Sequence, residues 1–429
     1  MTGLDHRFDQ DESKVLFRQS VRRFLAAEAE PHLDRWEAQG NVDRAFWQKA
    51  GAAGLLCPTV PEIYGGPGLD FSYNAIVTEE HGYARVPSGI TLQSDIAADY
   101  ILHYGSEAQK RRWLPAMVSG TAIAAIAMTE PGVGSDLKAI ATSARCAGDH
   151  YVINGAKTYI TNGQNADLIL VCAKTDTEVQ PAWKGVSIIL VESDREGFAR
   201  GRNLDKLGME AQDTSELFFD DVTVPQDALL GGREGQGFYQ LMGDLPYERL
   251  IIGLAALACM EGAYEATLAY VRERRAFGKA LQDMPLMQRQ LDKLRIYSEQ
   301  ARTMVLQTAQ ALQRSDAGED GAYALLRILT PMIKFRACRD ARKVTGDAME
   351  VRGGCGYIEE WADPRLVRDA HLGSIWEGTS NIVALDVAET ERSYTKLTVA
   401  EKMRLQFDNI VSDNKKSARK STAAGTKFR

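Results

Sequence analysis

Four short stretches of this sequence hold residue types that could do chemistry. The one nearest the C-terminus is Arg368-Asp369-Ala370-His371-Leu372-Gly373-Ser374-Ile375-Trp376-Glu377-Gly378-Thr379-Ser380-Asn381. A glutamate there sits between an aromatic and a glycine. Desolvation by Trp376 would raise the Glu377 carboxyl toward the range of a working base. Thr379 or Ser380 can cap the helix that follows and leave N–H groups aimed at a polar ligand. A second stretch, Thr129-Glu130-Pro131-Gly132-Val133-Gly134-Ser135-Asp136, offers backbone N–H groups at two glycines and hydroxyls at Thr129 and Ser135. A third, Gly155 to Gly163, places Tyr159 and Thr161 on one face of a strand, where a ring beside a hydroxyl can flank a flat cofactor. The fourth, Tyr270 to Lys279, gathers Arg272, Arg274 and Arg275 at a helix end. Arginines there complement the helix dipole, and they can also hold a diphosphate in bidentate fashion. Read alone, each stretch is equally a plain loop, strand or helix end.

The surrounding pattern shows what must position these residues. From about 10 to 120 the apolar residues recur at helical spacing, as in Phe17, Val21, Phe24 and Leu25. A Pro/Gly-rich break at 59–68 reads as a loop. From about 126 to 230 short β-rich runs alternate with turn residues: 151–154, 157–161, 168–173, 186–191, 216–219 and 222–224. Gly148-Asp149, Asn154-Gly155 and Asn162-Gly163 read as turns between them. Strands so spaced suggest a small barrel or sandwich. From about 237 to 390 long helical faces return, as in Leu294, Tyr297, Ala301, Met304, Thr308 and Leu312, and suggest a bundle. Crevices between such domains are where ligands sit.

Composition narrows the function classes. The 429 residues are 45% hydrophobic and 25% charged, with net charge −7, which argues against a nucleic-acid binder. Residues 391–429 hold ten Lys/Arg against four Asp/Glu, a local charge of +6, and read as a flexible solvated tail. The acidic start lacks an apolar leader, and the longest apolar run, 250–260, is too short to span a bilayer. Six cysteines without a CxxC pair read as plain thiols in a reducing cytoplasm. No metal motif and no GxSxG elbow is present. The run 231–237 is glycine-rich but lacks the Lys-Ser/Thr of a P-loop, and reads as an interdomain loop.

Taken in order, TEPGVGSD, GAKTYITNG, KLGMEAQDTSELFFDDVTVP, RERRAFGK, RGGCGY and RDAHLGSIWEGTSNI closely resemble the acyl-CoA dehydrogenase family over roughly residues 10–390. The resemblance implies an α+β chain. Its parts would be an N-terminal helical domain (1–125), a middle β-barrel-like domain (126–236) and a C-terminal four-helix bundle (237–390). It implies FAD, held by Met128, Thr129, Tyr159, Ile160, Thr161, Arg274, Gly353, Gly354, Thr379 and Asn381, with Arg274 reaching a neighbouring subunit. Ser135, Arg249 and Gly378 match substrate-binding positions. Glu377 matches the base that removes the α-proton of an acyl-CoA while the β-hydride passes to flavin N5, giving a trans-2-enoyl-CoA. An electron-transfer flavoprotein as acceptor and a homotetramer or homodimer follow from the same resemblance.

The sequence departs from the family pattern at four places. Glu350 stands where a glutamine usually opens the Gly-Gly turn. Met284-Pro285 replace a usual glutamine, and Pro246-Tyr247 replace an acid before Arg249. Glu248 occupies the position from which some branches of the family supply the base, so this chain carries both candidate glutamates. Rival readings on the same fold are an acyl-CoA oxidase or flavin monooxygenase, a nucleic-acid-binding flavoprotein of the alkylation-response branch, and an enzyme acting on carrier-protein thioesters.

Overall fold

The computed structural model describes residue 8 and residues 11–394, so the expected basic tail lies outside the described residues except for the end of the last helix. Seven helices open the chain: α1 (Glu12–Glu28), α2 (Leu33–Gln39), α3 (Arg44–Ala52), α4 (Phe71–Ala84), α5 (Ile90–Leu92), α6 (Ala98–Tyr104) and α7 (Glu107–Val118). A π-helical stretch, Gln93–Ala97, joins α5 to α6. Local chemistry sets the starts. Asp11 accepts from Lys14 N at 3.0 Å, Asp70 from Ser72 N at 2.8 Å, and Ser106 with Gln109 closes a capping box on α7. Val21 and Leu25 bury one face of α1 against α4.

Seven strands follow: β1 (Ala124–Ala127), β2 (Ser143–Ala147), β3 (His150–Thr161), β4 (Leu168–Lys174), β5 (Val186–Glu192), β6 (Phe198–Asn203) and β7 (Thr214–Pro225). They form one curled sheet in the order β1-β4-β2-β3-β7-β6, with β5 antiparallel to β4. Two strands are longer than the sequence pattern suggests. Runs 151–154 and 157–161 are one strand, as are 216–219 and 222–224. Asn154-Gly155 is therefore not a turn. It is a bulge inside β3, where Asn154 Oδ1 accepts from Asp221 N at 2.9 Å and its Nδ2 donates to Asp221 Oδ1 at 2.8 Å. Gly155 has φ +154, and an added Cβ would lie 2.8 Å from Thr142 Cα. Gly148-Asp149 and Asn162-Gly163 do form turns, after β2 and β3 respectively.

After a loop that includes 231–236, α8 (Gly237–Glu273) begins. Its C-terminus runs into a two-strand hairpin, β8 (Arg275–Ala276) and β9 (Lys279–Ala280). Then come α9 (Pro285–Asp316), α10 (Ala322–Val351), α11 (Ala362–Ala370) and α12 (Ser380–Tyr394). α10 packs against α8, α9 and α12. α8 is long and apolar enough to cross a membrane, but 67% of its most apolar stretch is buried inside the protein. It is the core helix of the bundle. Pro246 within α8 removes an N–H from the helical ladder, and the freed carbonyl of Met242 instead accepts from Arg327 Nη1 of α10 at 3.1 Å.

A buried ionic cluster fastens the first helices to the bundle. Arg18 of α1 pairs with Glu79 and Glu80 of α4 at 2.5 and 2.9 Å. Arg302 of α9 reaches Glu79 at 3.4 Å and also pairs with Glu261 of α8. Glu79 and Glu261 are fully buried, and Arg18 and Arg302 are nearly so. Such pairs hold only because each charge has a partner.

Candidate active site

Glu377 lies on a turn between Leu372–Ser374, a short 3-10 helix, and α12. Its φ is +49 and that of Gly378 is +97. A left-handed non-glycine residue costs of order 1–3 kcal/mol and persists where its surroundings enforce it. Two buried cations from separate helices do so. Lys334 Nζ of α10 donates to the Gly378 carbonyl, and Arg249 Nε of α8 donates to the Glu377 carbonyl at 3.5 Å. Arg249 is itself paired with Asp386 of α12. A Cβ on Gly378 would lie 3.6 Å from Arg249 Nη2 and 3.2 Å from Val383 Cγ2. Lys334 is 1% exposed, and burial lowers its ammonium to about 8.

Glu248 lies near enough to Glu377 for the two carboxyls to repel, and its Oε2 is buried without a hydrogen-bond partner among the described residues. It is 1% exposed, and its Oε1 accepts from the Tyr100 hydroxyl at 2.8 Å. Burial first, then the neighbouring Glu377 carboxyl, push Glu248 well above the usual carboxylate range. The desolvated acid of the pair is thus Glu248. The sequence expectation assigned desolvation to Glu377, which is only half-buried because it stands on the turn, whereas Glu248 lies inside a core helix.

Nearby, α6 and the π-helical stretch contribute further buried acids. Asp95 accepts from Asn74 Nδ2 and from Tyr247 Oη at 3.1 Å. Burial raises it to about 7, and raises Asp99 to about 8. Asp244, one turn before Glu248, accepts from His103 Nδ1 at 3.1 Å and Tyr104 Oη at 3.0 Å.

The other predicted residues fall into two further groups. Met128 and Thr129 follow β1 and are bound to β3: Thr158 N donates to Thr129 O at 2.9 Å, and Lys157 Nζ to Met128 O at 2.9 Å. Glu130 locks this loop, accepting from Lys157 Nζ, Ala141 N and Thr142 N at 2.9, 2.7 and 2.9 Å. Burial alone would raise Glu130, but these donors hold it below its usual range. On the same strand Ile160 and Thr161 are buried, while Tyr159, with φ +60, is 67% exposed. Tyr159 and Thr161 therefore do not share one face of the strand as expected, because the ladder slips between Lys157 and Ile160 at the left-handed Tyr159. Arg274, Gly353 and Gly354 line a separate cavity of about 790 Å³ together with Glu350, Arg352 and Trp361. Glu350, which replaces the usual glutamine at the Gly-Gly turn, therefore faces the same space. Ser135, Thr379 and Asn381 are exposed, and α12 starts with Val383 N donating to Thr379 O at 3.0 Å. Among the described residues no hydrogen bond joins the Glu377 group, the Tyr159 group and the Arg274 group.

Sequence reasoning missed Lys334, Tyr100, Asp386 and the Glu130–Lys157 lock. Lys334 carried a faint signal, since it is the one charge in the run Ile328–Phe335.

Comparison with known proteins agrees along the whole described chain. Residues 11–121, 125–222 and 235–391 match the acyl-CoA dehydrogenase N-terminal, middle and C-terminal domains. A long-chain specific acyl-CoA dehydrogenase from Sus scrofa mitochondria is 41% identical over 369 residues, 86% of this chain and 84% of that protein. The crystal structure of an acyl-CoA dehydrogenase from Geobacillus kaustophilus superposes with a TM-score of 0.84 at 42% identity, covering 89% of this chain and 98% of that one. A glutaryl-CoA dehydrogenase from Mycobacterium smegmatis, solved in complex with FADH2, superposes with a TM-score of 0.80 at 26% identity, covering 89% and 96%. This chain belongs to the acyl-CoA dehydrogenase family.

Proposed function

We propose that the protein is an FAD-dependent dehydrogenase of acyl-CoA thioesters in which Glu377 removes the α-proton. The observation that carries this reading is the pairing of two carboxyls of unequal burial. Glu248 is buried on α8 with its carboxyl pushed well above the usual range, and Glu377 stands half-buried on a strained turn beside it. Two neighbouring carboxyls cannot both ionise readily, so with the proton favoured on the buried Glu248, Glu377 is the member assigned to accept the α-proton. The α-proton of a thioester is only weakly acidic, and donors to the thioester oxygen are needed to stabilise the developing enolate. The backbone N–H of Glu377 is the donor this chain supplies. The residues fit FAD: Tyr159, Thr161, Met128 and Thr129 would flank its ring, and Arg274 with Gly353 and Gly354 would take its distal part. When bound, FAD supplies the acceptor of the β-hydride.

Anaerobic titration of the purified protein with acyl-CoAs of different length and branching tests this. Bleaching of the flavin band by one class is expected. A flavin that stays oxidised across the panel would overturn the reading and favour a carrier-bound substrate or a monooxygenase. Re-oxidation by an electron-transfer flavoprotein, with no peroxide formed in its absence, is expected over direct reaction with oxygen. The cytoplasmic location belongs to the same proposal and suits six unpaired thiols. Cell fractionation tests it.

One observation favours a second assignment within the same reaction. Glu248 has the raised carboxyl that a general base often shows, and a proton held on Glu377 instead of on Glu248 would exchange their roles.

A further inference from the structure

The carbonyls of Glu377 and Gly378 are consecutive, and each ends at a buried cation from a different helix. The two cations are not equally engaged. Arg249 is charge-paired with Asp386, which Arg327 also approaches at 3.8 Å. Lys334 makes no salt bridge among the described residues, and its one hydrogen bond there goes to the Gly378 carbonyl. Burying an ammonium without a salt bridge is costly, and its pKa is lowered although the Glu377 carboxylate attracts it. A methionine or leucine would fill the same space in α10 without that cost. What the ammonium provides that an apolar side chain cannot is a charged donor to the turn, beside its attraction to the Glu377 carboxylate, and charge-assisted donors are the strong ones. That donor acts one residue beyond Glu377, where both φ values are positive and the backbone would otherwise relax.

We propose that Lys334 is a positioning residue for proton transfer: with Arg249 it clamps the Glu377–Gly378 turn, so that the Glu377 carboxylate and the Glu377 N–H keep the aim the reaction needs. This rests on the reading of Glu377 as the base. Lys334, unlike Arg249, belongs to neither the substrate-binding nor the cofactor-binding positions, so its removal affects the rate of the chemical step and leaves binding largely alone. A misplacement of the reacting group of about 1 Å can slow a reaction by about a hundredfold.

The test is stopped-flow flavin reduction by the best acyl-CoA in the FAD-loaded Lys334→Met enzyme, beside its substrate affinity, FAD retention and melting temperature. The expected result is reduction slowed by about ten- to a hundredfold, with substrate affinity and FAD content kept. In a Glu377→Gln background the same substitution should add no further loss, because the residue it positions is already gone. If Lys334→Met does not fold, Lys334→Gln, which is too short to span to the carbonyl, is read in the same way. A wild-type rate, a loss matched by FAD release, or an equal further loss in the Glu377→Gln background would each overturn the clamp. If Glu377→Gln reduces normally while Glu248→Gln is dead, the base assignment fails and the clamp with it. A normal Lys334→Met beside a dead Glu377→Gln overturns the clamp alone.

Discussion

At the scale of single residues, the site turns on which of two adjacent carboxyls carries the proton. Burial and the facing Glu377 hold Glu248 well above the usual carboxylate range, which favours its neutral form. Glu377→Gln should lower flavin reduction by about 10²–10⁴-fold, the usual range for loss of a general base, while Glu248→Gln should keep most of it. Stopped-flow reduction of both variants decides, and the reverse pattern would exchange the roles. The sign of the pH effect follows. As pH rises through the folded pKa of Glu248, a second negative charge forms against Glu377. The wild-type reduction rate should then change across that titration, and Glu248→Gln should remove the change. Much of this was legible in the residues, because Glu377 stands in a long motif and Glu248 beside Arg249 breaks the family pattern. Lys334 was not, because a lone lysine in an apolar helical run carries no sign of which carbonyl it will meet 44 residues later.

At the scale of elements, the helical periodicities transferred almost directly, since an amphipathic face needs only local spacing. The strands did not. Asn154-Gly155 reads as a hairpin turn, but its geometry is fixed by Asp221 on β7, a partner 67 residues away that local spacing cannot reveal. Strands β1, β2 and β6 escaped notice: the first is a short run of small residues and the other two carry exposed polar ones. Gly155→Val should destabilise the middle domain by about 1–3 kcal/mol, because the side chain meets Thr142, and a shifted urea midpoint would report it. The acids of the helix running from 90 to 104 give a pH prediction. Burial raises Asp95 to about 7 and Asp99 to about 8, against about 3.9 for an unfolded aspartate. Between those values the folded chain holds protons that the unfolded chain has released, so stability falls as pH climbs from about 4 to about 8 and then levels off. Melting temperatures across that range should show the slope, and Asp99→Asn should flatten it.

At the scale of the whole molecule, Tyr159 and Arg274 belong to groups with no hydrogen bond between them, and Phe277 beside Arg274 is 94% exposed. We propose a homodimer or homotetramer in which Arg274 completes the FAD site of a neighbour. Arg274→Glu should then weaken FAD retention and subunit association together. Light scattering and flavin content measured over a dilution series check this, and loss of one without the other would separate them. The ionic cluster that fastens α1 and α4 to the bundle has a consequence for how the chain is made. Glu79 emerges from the ribosome 223 residues ahead of Arg302. At roughly 5–20 residues per second, that leaves about 11–45 s in which its carboxyl has Arg18 but lacks Arg302. The N-terminal helices therefore cannot reach their final packing as an early, self-sufficient unit. Their docking must wait until most of the chain has been synthesised.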